Sequence, residues 1–279
     1  MEKVESADNL FVFWAKLLRG RVTPETAQTF HPLLCHMTDV AEVTRLMWRE
    51  TLSPAARRRA QAALNLPDEE AAERWIVFFA GLHDLGKAGP VFTLQEAASR
   101  LSQFYQGLPG PPLRAADAYH GIVTAAELPE ILAGEDFRLP LEVARRVAAA
   151  VGGHHGTIPT SDQVSKAADA AGGIKWKRIR TRIARAVADA LEVPRALVPR
   201  TLDNAAAMWL AGLVSVADWI GSDERFFEYR VRRFNDLGRL DLTEYRAHAA
   251  TQARLALSQL GWLGWQPRNV QASFATLFP

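Results

Sequence analysis

Apolar residues recur at three- and four-residue spacing along almost the whole chain, and almost no segment alternates with period two. That pattern commits the sequence to helices and leaves strands a minor part, so the expected class is all-α. With 279 residues the chain is long enough for one sizeable core. Residues 36–51 place Val40, Val43 and Met47 on one side of a helix, and Ser53-Pro54 reads as a cap followed by a first helical position. Asp68 caps the next helix, DEEAAERWIVFFAGLHD, which has acidic residues in its first turn, dives into the core and ends near Gly86. Gly107 to Pro112 reads as a loop, and residues 141–151 as a helix halted by Gly152-Gly153. A basic segment at 175–185, an apolar helix ending at Asp218 and a last helix at about 243–260 follow.

Composition narrows the class further. The chain is 48% hydrophobic and 23% charged, close to the average for folded proteins. Lys and Arg number 33 against 31 Asp and Glu, a net charge of +2, so attraction to a polyanion must come from a local patch. Cys35 is the sole cysteine, which excludes an intrachain disulfide and points to a reducing, cytoplasmic setting. The N-terminal stretch carries Glu2, Glu5 and Asp8 and no small-residue cleavage site, so no signal peptide is expected. The longest uncharged apolar stretch, residues 204–217, is shorter than the ~20 residues a membrane helix needs.

Within this apolar framework a few polar residues stand out. Asp218 closes MWLAGLVSVAD, where a bare carboxylate costs several kcal/mol unless it is paired, hydrogen-bonded or bound to a metal. His83-Asp84 ends another largely apolar helix, and Lys87 follows on the far side of Gly86. Of the seven histidines, His154 and His155 form a doublet after two glycines, a placement suited to metal ligation because neutral imidazole binds borderline metals. His31 and His248 read as ordinary core or surface residues and are set aside. The ordinary reading of Asp218 and His83-Asp84, a carboxylate paired with an arginine and a helix cap, remains open on the residues alone.

The order His36, His83-Asp84, His120, His154-His155, Asp218 resembles the HD-domain superfamily of metal-dependent phosphohydrolases. The flanking stretches HPLLCHMTDVA, FFAGLHDLGKAGPVF, YHGIVTA, VGGHHGTIP and VSVADWIGSDERFF are similar to one branch, the HD nuclease domains of type I CRISPR-associated nuclease-helicases. The likeness runs from about Trp14 to Phe227. It implies an HD-type helical bundle whose loops carry a dinuclear metal site. It also divides the chain into an HD nuclease domain, residues 1–240, and a C-terminal helix and segment, 241–279, whose closing SFATLFP leads toward a helicase. No GxxxxGKS/T phosphate loop occurs, so these residues hold no helicase motor.

The resemblance further implies that one divalent transition-metal ion (Mn, Fe, Ni or Co) is held by His36, His83, Asp84 and Asp218. A second is held by His120, His154 and His155, with Asp84 bridging. Asp84 and Lys87 become the catalytic residues, Lys87 by placing positive charge beside the transferring phosphoryl group. The implied activity is hydrolysis of phosphodiester bonds in single-stranded DNA during CRISPR interference, alongside a helicase domain or subunit and a crRNA-guided surveillance complex. Between Gly172 and Arg200 eight basic side chains face two acidic ones. Lys175, Trp176, Lys177, Arg178, Arg180 and Arg182 are the candidate DNA contacts, Trp176 as a base-stacking ring. Two other readings stay open: a nucleotide or cyclic-nucleotide phosphohydrolase, and a binding module without catalysis.

Overall fold

The computed structural model describes residues 9–18, 23, 26–111 and 119–264. Strand β1 (Trp14–Leu17) pairs antiparallel with β2 (Phe30–Pro32), Lys16 opposite His31, with a bulge between Trp14 and Lys16. Helix α1 (Leu33–Leu46) follows and runs on into a π-helical turn at Met47–Thr51. Then come α2 (Pro54–Leu64), capped by Ser53, and α3 (Glu69–Gly81), whose cap Asp68 accepts the Ala71 N–H at 2.7 Å. A 3-10 turn at Leu85–Lys87 leads to the short α4 (Pro90–Thr93). The remaining α-helices among the described residues are α5 (His120–Ala133), α6 (Leu141–Gly152), α7 (Ser161–Ala170), α8 (Gly173–Ala190), α9 (Asn204–Gly221) and α10 (Leu242–Gln259). Among the described residues the only sheet is the β1–β2 ribbon, in keeping with the all-α, HD-type class expected from the pattern. No helix of the described residues is long and apolar enough to cross a membrane.

The core is built around α1, every residue of which is buried, with α3, α8, α9 and α10 packed on it. A helix enclosed on all sides must satisfy its polar side chains internally. Asp39 accepts from His31 Nε2 at 2.9 Å and from the Tyr245 hydroxyl of α10 at 2.8 Å. Glu42 accepts from Arg45 at 3.1 Å and from Arg246 of α10 at 3.0 Å. The C-terminal helix is therefore pinned to α1 by one buried and one half-buried polar contact as well as by Ala249, Ala253 and Leu257. Residues 265–279, with the closing SFATLFP, lie outside the described residues.

Helix α8 corrects the expectation for the basic segment. Trp176, Ile179, Ile183 and Val187 form a stripe at helical spacing that faces the core, and Trp176 is 0% exposed. Its indole N–H donates to Pro109 O at 2.9 Å. Arg180 is equally buried, donating to Ala88 O and Ala171 O at 2.9 Å each and to Glu127 at 2.6 Å. Neither side chain can reach DNA. Lys177 pairs with Glu130, and Lys175 donates to Gly107 O at 3.0 Å. Lys175 and Arg178 are exposed, Arg182 half-buried.

Candidate metal centre

Five helix ends or interiors converge at one point. His36 lies one turn into α1, His83 and Asp84 in the turn leaving α3, and His120 at the first residue of α5. His154 and His155 occupy the turn leaving α6, and Asp218 the last turn of α9. His36 Nε2 is 3.1 Å from Asp84 Oδ2 and 3.3 Å from Asp218 Oδ1, and His83 Nε2 is 3.4 Å from each of those oxygens. The other Asp84 oxygen, Oδ1, is 3.2 Å from His120 Nε2 and 3.7 Å from His154 Nε2. His120 and His155 bring their Nε2 atoms to 3.1 Å. Asp84 thus turns one oxygen to His36 and His83 and the other to His120 and His154. His31 and His248 stay apart, His31 on Asp39 and His248 on the exposed face of α10.

The donor set fits metal ions. Nitrogen and oxygen ligands ~2.1 Å from one ion lie ~3.0–3.5 Å from each other, the spacing seen among these atoms. His83 Nε2, His154 Nε2 and Asp84 Oδ1 are buried without a hydrogen bond, an arrangement that is costly unless a cation meets them. The tautomers are fixed as well. His83 Nδ1 donates to Ala80 O at 2.9 Å and His154 Nδ1 to Val151 O at 2.7 Å, so in the neutral form of each ring the lone pair lies on Nε2, facing the cluster. The Ser222 hydroxyl donates to Asp218 Oδ1 at 3.0 Å and orients that carboxylate.

Electrostatics point the same way. Burial alone would push the Asp84 and Asp218 carboxyls up. Lys87, His83 and His120 instead hold Asp84 well below the usual carboxylate range, and His83 and His36 do so for Asp218. Both are acceptor-only anions. Burial works against protonation of His83, yet the two carboxylates raise its pKa to about 10. His154 is lowered to about 3 by burial and by His83, which leaves it neutral and able to ligate. Lys87 Nζ sits 2.6 Å from Asp84 Oδ2 at the edge of the cluster.

Close main-chain approaches set these positions. A Cβ on Gly86 would stand 2.0 Å from His120 O, so only glycine lets the turn carrying His83 and Asp84 meet the start of α5. Helices α5 and α6 cross with Gly121 against Gly152, where a Cβ on either would lie 2.5 Å from the other's carbonyl oxygen. That crossing brings His120 beside His154 and His155. The cluster opens into a cavity of about 430 Å³ lined by Asp84, Lys87, His120, His155 and Asp218 together with Trp14, Lys16, Phe92 and Tyr229. Lys16 escaped sequence reasoning because it comes from β1 with no motif around it. Its Nζ donates to Gly221 O at 3.3 Å, and burial lowers its pKa against the pull of Asp39. Tyr119, directly before His120, likewise carries no sequence signal of its own.

Comparison with known proteins gives a consistent picture. The family described as Cas3, HD domain, matches residues 14–227. A CRISPR-associated endonuclease/helicase Cas3 of Thermus thermophilus is 33% identical over 266 residues, covering 91% of this chain and 27% of that protein. The chain spans about a quarter of the length of the curated relatives it matches. A solved structure described as a CRISPR-associated protein is 41% identical with a TM-score of 0.83, covering 97% of this chain and 29% of that one. The Thermus thermophilus cas3 HD domain, crystallised in the presence of Ni²⁺, is 30% identical with a TM-score of 0.65, covering 95% of this chain and 94% of that one.

Proposed function

The chain belongs to the family of Cas3 HD domains, and on that premise we propose that it is a divalent-metal-dependent nuclease that hydrolyses phosphodiester bonds of single-stranded DNA in CRISPR interference. The observation that carries the reading is the two-sided Asp84 carboxylate, one oxygen toward His36 and His83 and the other toward His120 and His154. His36, His83, Asp84 and Asp218 would hold one ion, and His120, His154 and His155 a second that shares Asp84. Two such ions, with Mn, Fe, Ni or Co the candidates, supply Lewis acidity and lower the pKa of a bound water.

The protein's own side chains do the rest. Asp84 and Asp218 stay ionised in a buried setting and keep the ligand set assembled. Lys87, already donating to Asp84 and Ala15 O, offers its remaining N–H donor to a phosphoryl oxygen as negative charge builds there. Lys16 provides a second ammonium on the cavity wall for a neighbouring phosphate. A helicase domain or subunit and a crRNA-guided surveillance complex would deliver the unpaired strand.

The direct test incubates the purified chain with circular single-stranded DNA, duplex DNA and deoxynucleoside triphosphates, each with EDTA, Mg²⁺, Mn²⁺, Ni²⁺ or Co²⁺. Loss of the single-stranded circle with a transition metal, and none with EDTA, is the expected outcome. Turnover of triphosphates with all DNA intact would overturn the assignment in favour of a nucleotide hydrolase. Lys16→Met, which keeps the apolar stem, is expected to raise KM for single-stranded DNA severalfold and leave kcat within about threefold. The slope of log KM against log salt concentration should flatten by ~0.7, the value for one lost phosphate contact on a single strand. Unchanged KM and slope would remove Lys16 from the substrate path.

A further inference from the structure

The metal cleft continues past the cluster. His155 stands between the cavity that holds Lys16, Lys87 and Asp218 and a second cavity of about 280 Å³, walled by Tyr119, Ile122, Gly152, Thr157 and Pro159. The Tyr119 ring lies with its centroid 4.3 Å from that of His120 and 5.3 Å from that of His155, so two rings of the cluster fix its position. The residue is nevertheless 50% exposed. Gln163 also borders the cavity, but its side-chain oxygen accepts the Thr160 N–H at 2.9 Å and is committed to the start of α7. What remains is an aromatic face between mostly apolar walls, one imidazole away from the site where a phosphodiester would be cut.

A nucleotide straddling His155 would have its phosphate on the metal side and its base on the Tyr119 side. Every base has a π face, so such a surface accepts any sequence. A base inside a duplex is already stacked and paired and must leave the helix before it can enter. We infer that the second cavity receives the base of a nucleotide adjoining the scissile phosphate, stacked on Tyr119, and that this contact restricts the site to unpaired strands. The inference rests on the nuclease reading and gives it a structural source of strand selectivity.

The test measures binding and cleavage separately. In EDTA, fluorescence anisotropy compares a labelled oligo(dT) with a base-free deoxyribose-phosphate oligomer of equal length. The parent chain is expected to bind oligo(dT) about tenfold tighter, Tyr119→Ala to bind both oligomers equally with the base-free affinity unchanged, and Tyr119→Phe to keep the parent's preference. In steady-state cleavage Tyr119→Ala should raise KM for single-stranded DNA about tenfold with kcat within threefold, narrowing its preference over duplex. Equal affinity of the parent for both oligomers would overturn the inference. So would a Tyr119→Ala variant that loses affinity for both alike, since that marks a disturbed His120–His155 pair. If the binding difference appears but no DNA is cut with any metal, the nuclease reading fails and the base site stands. If DNA is cut and Tyr119→Ala matches the parent throughout, the base site fails and the nuclease stands.

Discussion

Asp84→Ala is expected to lower kcat for metal-dependent cleavage of single-stranded DNA by on the order of 10³-fold or more, the loss that follows when a metal site supplying several kcal/mol of transition-state stabilisation is dismantled. The two oxygens of Asp84 face the two halves of the site, Oδ2 toward His36 and His83 and Oδ1 toward His120 and His154. Lys87 Nζ at 2.6 Å, His36 Nε2 at 3.1 Å and His120 Nε2 at 3.2 Å all gather on this carboxylate. Without it, an ammonium and several imidazoles face one another with only Asp218 to balance them, and cation capture becomes unfavourable. Asp84→Asn separates charge from packing, because the amide keeps the shape while losing the anion. Both variants should retain far less metal than the parent after gel filtration, measured by inductively coupled plasma mass spectrometry. Cleavage within tenfold of the parent by a variant that still holds its metal would disprove the role assigned to Asp84.

Trp176→Ala is expected to destabilise the chain by about 3–5 kcal/mol, the usual cost of deleting a buried aromatic side chain. The indole is fully enclosed, lies edge-on to Phe13 at 6.1 Å and donates to Pro109 O. Removing it leaves a cavity and an orphaned carbonyl. For a chain of this size the midpoint of thermal unfolding should fall by ~10 °C or more, while KM for single-stranded DNA, measured well below that midpoint, stays at the parent's value. A base-stacking tryptophan would behave in the opposite way, with a raised KM and an unmoved midpoint. The pair of measurements therefore decides between core and contact.

The difference between these two residues shows what a sequence carries. His83, Asp84 and Asp218 stand out in the sequence because each is a polar group at the end of an apolar helical stretch, where burial demands a partner or an ion, whereas His36 and His120 enter only through the residue order that carries the family resemblance. His154 and His155 were legible from the glycine pair that stops α6. Trp176 and Arg180 were misread because eight basic side chains drew attention to charge, although the spacing of Trp176, Ile179, Ile183 and Val187 already marked a core-facing stripe. A buried arginine is rare and announces itself only through partners distant in the chain, here Glu127 and the carbonyls of Ala88 and Ala171. Lys16 and the surroundings of Tyr119 were illegible for the same reason: their meaning lies in which segments fold back on them. The helix boundaries shift by a few residues: α1 starts at Leu33 rather than His36, α3 ends at Gly81 rather than near Gly86 so that His83 and Asp84 lie in the turn beyond it, and α9 runs on to Gly221, which leaves Asp218 inside the last turn.

The crossing of α5 and α6 at Gly121 and Gly152 has a bearing on how such a chain can change over time. His120 adjoins one of these glycines and His154 follows two residues after the other, so the span between the imidazoles is gauged by main chain resting on main chain. Large side chains elsewhere can be exchanged, and the melting point can drift up or down with them, while that gauge keeps its setting. Thermal robustness and ligand spacing are thereby separately adjustable, and a lineage adapting to heat or cold could retune the first without recalibrating the second.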